Sequence, residues 1–269
     1  MKKVALYLGI FLFSVLNNLW IFHADNLQAI RILSMSCFGG MYIVKGTVME
    51  FTLKSVPLLF FQILETSICH EEFTMAGIYV FTRCPNRRKQ ATITVFRVIL
   101  GSIVYSLIWQ GTGLVMGMIV GMDTGGYDFL SVFIPQILLL AGWMAFFTVG
   151  GFWVCIFHGS MAGVLAGLLP HFLLISSMQL FASGSVLSVD IDDPGFAQSH
   201  LDIFKLHPFS QLVLDWHSST NAAFSAYMNY YPMNFSFWPG VCVFWLLLSA
   251  VSIVLILSVN NMEFYSVKS

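Results

Sequence analysis

Charged side chains are scarce in this sequence. Asp, Glu, Lys and Arg make up 9% of its 269 residues, whereas 58% are hydrophobic. Soluble domains carry roughly 25% charged residues, so this chain cannot cover a water-facing surface and must have lipid as its main solvent. Its apolar runs are continuous rather than alternating, which disfavours a β-barrel. The sequence therefore predicts an all-α polytopic membrane protein, with room for about six helices of ~20 residues.

Motifs for catalysis and for metal binding are also missing. The five cysteines are scattered and odd in number, so they predict neither a disulfide framework nor a metal site. Residues 39–47, GGMYIVKGT, lack the glycine that precedes the lysine of a phosphate-binding loop, so the chain is not expected to hydrolyse a nucleotide itself. Ser-His-Asp, Cys-His and HExxH arrangements are absent. We therefore expect no enzymatic activity, cofactor or metal ion on this chain, and its net charge of −1 does not indicate nucleic-acid binding.

Two patterns resemble functional sites only in part. The Glu71-Glu72 pair is similar to the paired glutamates of intramembrane CAAX-type proteases, but the arginine and the paired histidines expected with them are missing. Residues 189–236 form a long acidic segment whose side chains match no metal-ligand spacing, so we interpret it as a solvated outer loop. The metal ligands considered in that segment are His200, Asp202, His207, Asp215 and His217.

The charge that is present is concentrated in residues 70–97, HEEFTMAGIYVFTRCPNRRKQATITVFR. This stretch holds five of the twelve Lys and Arg residues and has long apolar runs on both sides. Because Lys and Arg are retained on the cytoplasmic side of a membrane, the stretch predicts which side it lies on. Together with Lys2 and Lys3, it places both chain termini in the cytoplasm and the acidic segment 189–236 outside.

Six transmembrane helices in a single domain are predicted from the apolar runs. They cover residues 4–22, 47–66, 92–121, 132–157, 159–186 and 238–259. The first run could instead be a signal peptide, although no small-residue cleavage site follows it cleanly. Residues 23–46 predict either an outer loop with an interfacial helix or an early start of the second span. For residues 70–91 we predict an amphipathic helix lying in the cytoplasmic interface.

Polar residues inside the predicted spans define a candidate substrate path. Glu50 and Lys54 lie four residues apart and share a helix face, and His171 directly follows a proline. The alternatives are a self-neutralising ion pair near the outer headgroups and a buried neutral histidine. Two spans also carry glycine at every fourth position, which predicts close helix packing. These helix-packing glycines are Gly113, Gly117, Gly121, Gly159, Gly163 and Gly167.

Residues 77–89, GIYVFTRCPNRRK, resemble the permeases of ABC-2-type transporters. The string looks most like the small permeases of bacterial gene clusters for peptide antibiotics such as lantibiotics. In that group a YxFTR string, a short break and a basic cluster precede the third span, and the layout of the whole chain is similar as well. The matching residues are Tyr79, Phe81, Thr82, Arg83, Asn86, Arg87, Arg88 and Lys89.

This resemblance implies a type V exporter-like ABC-2 permease in the plasma membrane of a bacterial cell. The exporter would combine two permeases, of the same or of different chains, with two copies of an ATP-binding-cassette subunit that carries the ATP and Mg²⁺. Segment 70–89 would dock into the ATPase and convert its closure into tilting of the spans. The alternative role of the basic cluster is a topology signal in contact with membrane lipid. The coupling residues would be Glu71, Glu72, Tyr79, Phe81, Arg83, Arg87, Arg88 and Lys89.

The expected function is ATP-driven export of an amphipathic or hydrophobic cargo, such as an antimicrobial peptide. The spans offer little charge with which to recognise a polar solute. A second hypothesis is a non-transporting immunity or sensor protein that binds a peptide with its acidic, aromatic outer loop and without dependence on ATP. A third, an intramembrane enzyme, would lose activity on substitution of His171, Glu50 or Glu71.

Overall fold

A computed structural model of the chain describes residues 2–21, 48–83, 87–119, 121, 129–184, 206–214, 217–218 and 236–259. This part of the chain is nearly all helical, in agreement with the predicted all-α class. Its six long helices are α1 (Lys2–Ile21), α2 (Val48–Arg83), α3 (Arg87–Ile119), α4 (Leu130–His158), α5 (Ser160–Gly184) and α6 (Phe237–Ser258). A short 3₁₀ helix, Pro208–Leu212, separates α5 from α6 in sequence. The predictions for residues 23–46 and for most of 189–236 lie outside the described residues.

Five of these helices, all except α2, are long and apolar enough to cross a membrane. Large apolar side chains remain exposed on their outer faces, for example Val4 at 69%, Leu173 at 67% and Leu246 at 70%. Such faces are suited to lipid rather than to water, because soluble monomers rarely expose large contiguous apolar patches. The chain is therefore a multi-pass membrane protein.

Helix α2 differs from the others because charged residues divide it. No uncharged stretch within it is longer than ten residues, which is about half of the ~20 that a span needs. One of these stretches, residues 55–64, lies between Lys54 and Glu65. The predicted span at 47–66 lies within α2, and its passage through the membrane stays a prediction.

Helix α4 is the centre of the bundle and contacts α2, α3, α5 and α6. In the most hydrophobic stretch of α4, 72% of the residues are buried inside the protein. This helix is apolar on all sides, as expected for a helix that other helices surround. Its Trp143 is fully buried and belongs to one core cluster with Phe61 of α2 and Tyr105 and Trp109 of α3.

The start of α1, the second half of α2 and the start of α3 meet at one end of the bundle. Lys2 forms an ion pair with Glu71 there, and Arg97 forms one with Glu72. We call this the basic end. The 3₁₀ helix Pro208–Leu212 lies at the other end, where it contacts α4, α5 and α6, and we call that the distal end.

Residues 70–91 do not form the separate interfacial helix that the sequence predicts. Helix α2 continues to Arg83 as one helix of 36 residues, and α3 begins at Arg87. Pro85 lies between the two helices in sequence, and proline is typical of a helix boundary because it has no backbone N–H to donate. The charges near residue 70 interrupt the apolar pattern without interrupting the helix. The predicted coupling element is therefore the tip of a helical hairpin formed by α2 and α3.

Two of the predicted packing glycines allow very close helix contacts. A Cβ atom on Gly163 of α5 would lie 2.5 Å from the carbonyl oxygen of Gly151 and 2.0 Å from Sγ of Cys155, both on α4. A Cβ atom on Gly113 of α3 would lie 2.9 Å from Oδ1 of Asn18 on α1. At Gly163 the oxygen belongs to the backbone and cannot move aside, so only glycine fits there. At Gly113 the side chain of Asn18 would have to shift to admit a larger residue.

The other glycines of the two predicted faces have different environments. Gly117 is buried in α3, and a Cβ atom on Gly167 would make an ordinary contact of 3.9 Å with the carbonyl oxygen of Phe147. Gly121 and Gly159 correct the packing prediction, because both lie outside the helices with open space around them and φ values of +85° and +88°. Glycine is required at these two positions for the left-handed backbone of a turn.

Candidate functional site

Ion pairs join three helices at the basic end. Nζ of Lys2 pairs with Glu71, and Nζ of Lys3 lies 3.8 Å from a carboxylate oxygen of Glu72. The lysines begin α1, whereas the glutamates lie two thirds of the way along α2, so these contacts fix the start of the first helix against the second. All four side chains are about half exposed. Each pair alone is therefore a weak contact, with a typical value of 0–1 kcal/mol.

Arg97 of α3 extends this network into the protein. One guanidinium nitrogen pairs with Glu72, and Nε lies 3.9 Å from a carboxylate oxygen of Glu65. A third guanidinium nitrogen donates to Sγ of Cys69 at 3.6 Å. The Glu65 side chain is only 5% exposed, and a buried carboxylate is costly unless it is paired. Arg97 therefore compensates the most buried charge at this end of the bundle.

The hairpin of α2 and α3 projects beyond this network. Eleven residues of α2 follow Glu72, and ten residues of α3 precede Arg97. At 1.5 Å per residue, both arms extend roughly 15 Å past the level at which α1 begins. The string that resembles ABC-2 permeases lies at the tip, in the last turns of α2 and the first turn of α3. The sequence thus places its densest basic cluster at the tip of this hairpin, beyond the level of Lys2.

The structure describes some of the predicted coupling residues in full. Arg88 and Lys89 are exposed in the first turn of α3, and Arg87 is partly buried. Glu71 and Glu72 lie below the tip and pair with the chain's own lysines and arginine. The predicted coupling residues whose side chains lie outside the described part are Tyr79, Phe81 and Arg83.

The candidate substrate path is only partly described. Lys54 is half-buried near the start of α2, and the side chain of Glu50 lies outside the described part, so their pairing stays a prediction. His171 is fully buried in α5, as both interpretations of this residue require.

Aromatic rings surround His171. Its ring centroid lies 5.7 Å from that of Trp143, 6.4 Å from Phe147 and 5.7 Å from Phe209, with near-perpendicular planes. Within the described part of the chain, neither ring nitrogen of His171 has a hydrogen-bond partner. A fully buried imidazole without a partner is unusual, since nearly all buried polar groups in proteins are hydrogen-bonded.

Phe209 belongs to a segment that the sequence places in a solvated loop. We call residues 206–214 and 217–218 the distal segment. Its Phe209, Leu212, Val213 and Leu214 are all 0% exposed, so the solvated interpretation is wrong for these residues. The 3₁₀ helix that begins at Pro208 places these apolar side chains against the bundle.

Of the two histidines in the distal segment, His217 is fully buried and His207 is half-buried. Nε2 of His207 lies 3.0 Å from Oγ of Ser177 on α5, and Nδ1 of His217 lies 3.0 Å from the carbonyl oxygen of Val213. The His217 ring stacks on Phe237, with centroids 4.0 Å apart and planes within 6° of each other. Burial lowers the pKa of His217 to about 4 and also lowers the pKa of His207. Among the described residues, no group of three or more His, Cys, Asp or Glu side chains could hold a metal ion.

The sequence interpretation missed several residues of the ion-pair network at the basic end and of the aromatic cluster around His171. Glu65, Cys69 and Glu72 lie at helical spacing on one face of α2, which is a visible signal for a polar helix face. That Arg97 would lie opposite them depends on how α2 and α3 pack, and no local pattern carries this information. The same holds for Phe209, which is one of 26 phenylalanines and has no sequence feature that sets it apart.

No family model, curated protein or solved structure matches this chain. The link to ABC-2 permeases therefore depends on the string at residues 77–89 and on the geometry of the hairpin that carries it. The function of the chain is therefore proposed below from this string and this hairpin.

Proposed function

We propose that this chain is the permease subunit of an ABC exporter of the ABC-2, type V exporter-like class. In this proposal, it lies in the plasma membrane of a bacterial cell with both termini in the cytoplasm. A separate ATP-binding-cassette subunit, present in two copies, supplies ATP and Mg²⁺. A second permease, of the same or a different chain, completes the exporter.

The projecting hairpin of α2 and α3 is the observation that carries this proposal. A permease driven by a soluble ATPase needs a rigid element that leaves the membrane and transmits force to the spans. Both arms of the hairpin continue as helices past the level of Lys2, and its tip carries Arg87, Arg88 and Lys89. The pairs of Glu71 with Lys2 and of Glu72 with Arg97 connect α2 to α1 and α3. A displacement of the tip would therefore move three helices together.

The inside of the bundle favours a hydrophobic or amphipathic cargo, such as an antimicrobial peptide. Its core is built from large apolar and aromatic side chains. A groove of about 560 Å³ between α4, α5 and α6 is lined by residues such as Phe146, Trp153 and Pro170 and offers almost no polar surface. Such a lining would provide no compensation for the desolvation of a charged solute.

A second candidate is a non-transporting immunity or sensor protein that binds a peptide outside the membrane. The burial of Phe209 and Leu212 against the bundle favours this candidate, because a segment that folds onto the spans could transmit the binding of a peptide to the spans. This candidate needs no ATPase, so the two functions differ in their partners.

Affinity purification from the native host in mild detergent tests the proposal. We expect an ATP-binding subunit to co-purify with the wild type and to be lost when Arg83, Arg87, Arg88 and Lys89 are all changed to Ala. The matched control changes the three arginines to Lys, which retains the positive charge that sets topology but removes the planar guanidinium groups. Cysteine accessibility from each side verifies that the topology is the same in every variant.

Each outcome of this purification is informative. Loss of the ATPase in the Ala variant, with unchanged topology, supports both the exporter and the coupling role. Equal recovery with the Ala variant retains the exporter and reduces the basic cluster to a topology signal. If no ATP-binding subunit accompanies the folded wild type, the exporter proposal is wrong and the distal segment becomes the region to test for peptide binding.

A further inference from the structure

The distal segment fills a pocket in the bundle with one of its own side chains. The ring of Phe209 is 0% exposed and lies against His171 of α5 and Trp143 of α4. Its centroid is 5.7 Å from that of His171 and 6.0 Å from that of Trp143, with the planes at 81° and 76°. Edge-to-face contacts of this kind are the preferred geometry of aromatic pairs. A ring-sized pocket thus exists between α4 and α5, and Phe209 occupies it.

The walls of this pocket contain polar atoms that Phe209 cannot satisfy. Within the described residues, both ring nitrogens of His171 and Nε1 of Trp143 are buried without a hydrogen-bond partner. Phenylalanine has no donor or acceptor to offer them. Leaving such groups unpaired costs free energy, which an occupant with both an apolar body and a polar atom would recover. The pocket therefore fits such a ligand better than it fits Phe209.

The contacts of the distal segment allow it to leave as a unit. Three of its backbone hydrogen bonds join residues of the segment itself, from Ser210 to His207, from Val213 to Ser210 and from His217 to Leu214. These bonds survive if the segment moves. Its bond from Nε2 of Gln136 to the carbonyl oxygen of Leu212 is long, at 3.4 Å. Nε2 of His207 also lies 3.0 Å from Oγ of Ser177, and the ring of His217 stacks on Phe237, so a segment that leaves the bundle exchanges these contacts for water. The burial of Phe209 itself is apolar, and a competing apolar group can replace it.

We propose that the pocket filled by Phe209 is a ligand site for an aromatic group that carries a polar atom, as in the side chain of an aromatic residue in a peptide. The ligand enters from the distal end, displaces Phe209 and hydrogen-bonds to His171. The identification of this ligand as exported cargo depends on the proposed function. The existence of the pocket and its competition with Phe209 do not depend on it.

A reversible lock on the distal segment provides the test. A Cβ atom on Gly240 of α6 would lie 3.4 Å from Cβ of Gln211, close to the separation of about 3.8 Å in disulfides. A Gln211→Cys, Gly240→Cys double variant can therefore be oxidised to hold the segment down and reduced to release it. Cys242 is exposed on the same helix and is changed to Ser in this background. The single-cysteine variants are the controls for the substitutions themselves.

The probe is 4-[3-(trifluoromethyl)diazirin-3-yl]benzyl alcohol, a small aromatic photolabel that carries a hydroxyl group, applied to the full-length chain in lipid nanodiscs without ATP or partner subunits. Mass spectrometry measures labelling of Trp143 and His171 relative to Leu246, which faces lipid. We expect the reduced protein to be labelled. Labelling of the oxidised protein should be roughly tenfold lower, because the disulfide prevents the conformation in which Phe209 has left the pocket. Phe209→Ala should increase labelling over the wild type, since the internal competitor is gone, and Phe209→Leu should increase it less.

Equal labelling of the oxidised and reduced forms, or labelling in neither, overturns the displacement of Phe209. Unchanged labelling in a folded Phe209→Ala protein, as judged by a single symmetric peak in size exclusion, overturns the pocket. None of these measurements involves an ATPase. The ligand site and the exporter proposal can therefore fail separately.

Discussion

Lys2 and Glu71 are 69 positions apart in the chain and form an ion pair at the basic end of the bundle. The pair joins the first residues of α1 to a point in α2 that lies six residues, or nearly two helical turns, beyond the buried Glu65. The exposed apolar face of α1 begins at Val4, directly after this contact. The pairs of Lys2 with Glu71 and of Arg97 with Glu72 are thus a structural reference for the projecting hairpin.

Charge reversal tests the ion pair between Lys2 and Glu71. We expect Lys2→Glu and Glu71→Lys each to destabilise the protein, and the double variant to recover roughly 0.5 kcal/mol relative to the sum of the single changes. The value is small because both side chains are about half exposed. Thermal unfolding in detergent measures it, and high salt should reduce the coupling energy. A double variant that is as unstable as the sum of its parents would mean that the two residues do not interact.

Arg97 should be far more sensitive to substitution. Arg97→Ala leaves Glu65 buried without its cation and removes the donor to Cys69, so we expect a loss of roughly 2–3 kcal/mol in stability. The matched control is Arg88→Ala, an exposed arginine on the same helix, with an expected change within about 0.5 kcal/mol. Chemical denaturation of the purified protein measures both. Similar losses for the two variants would contradict a special role of Arg97.

The glycines of α5 supply a second matched pair. Gly163→Ala places a methyl group 2.5 Å from a backbone oxygen of α4, which cannot move aside as a side chain can. Because α4 and α5 must move apart to admit this methyl group, we expect the free energy of unfolding to fall by about 2 kcal/mol or more. Gly167→Ala, one turn along the same face, meets its nearest atom at 3.9 Å and should leave stability unchanged or slightly increased. Thermal melting of both variants checks this, and equal effects would exclude close packing at Gly163 as the cause.

The all-α class could be read from the sequence because continuous apolar runs are a strong signal, and each predicted span overlaps one long helix of the described part. The predicted spans at 132–157 and 238–259 lie within two residues of the ends of α4 and α6. The extent of α2 could not be read, because charges at Glu65, Glu71 and Glu72 interrupt its apolar pattern. Those charges are neutralised by partners on α1 and α3, which a pattern along one helix does not reveal.

The candidate sites were less accessible from the sequence. The basic residues at the tip of the hairpin could be identified as a candidate site from the sequence because charged residues are so rare elsewhere in the chain. The pocket at His171 could be suspected only from a histidine in an apolar run. Phe209 was assigned to a solvated loop, since an acidic segment between two spans is normally exposed. Its burial depends on apolar neighbours of the bundle that lie far away in sequence.

Docking of the distal segment should weaken as the pH falls, because His217 is buried in its neutral form. Its pKa is about 4 when docked, whereas an exposed histidine has a pKa near 6.5. Between these values the undocked segment binds more protons, so docking loses stability progressively below pH 6.5 and has lost roughly 3 kcal/mol by pH 4. Above pH 6.5 both forms are neutral and this residue contributes no pH dependence. His207 titrates in the same direction and adds to the effect.

Hydrogen exchange of the backbone amides in residues 206–218, compared at pH 7.5 and pH 5 after correction for the intrinsic rates, measures this docking. We expect protection to decrease at the lower pH in the wild type and to decrease much less in His217→Phe. That variant can still stack on Phe237 but cannot bind a proton, so any remaining pH dependence reports His207. An equal loss of protection in both proteins would show that protonation of His217 does not release the segment. In that case the competition for the Phe209 pocket would be controlled by the ligand alone.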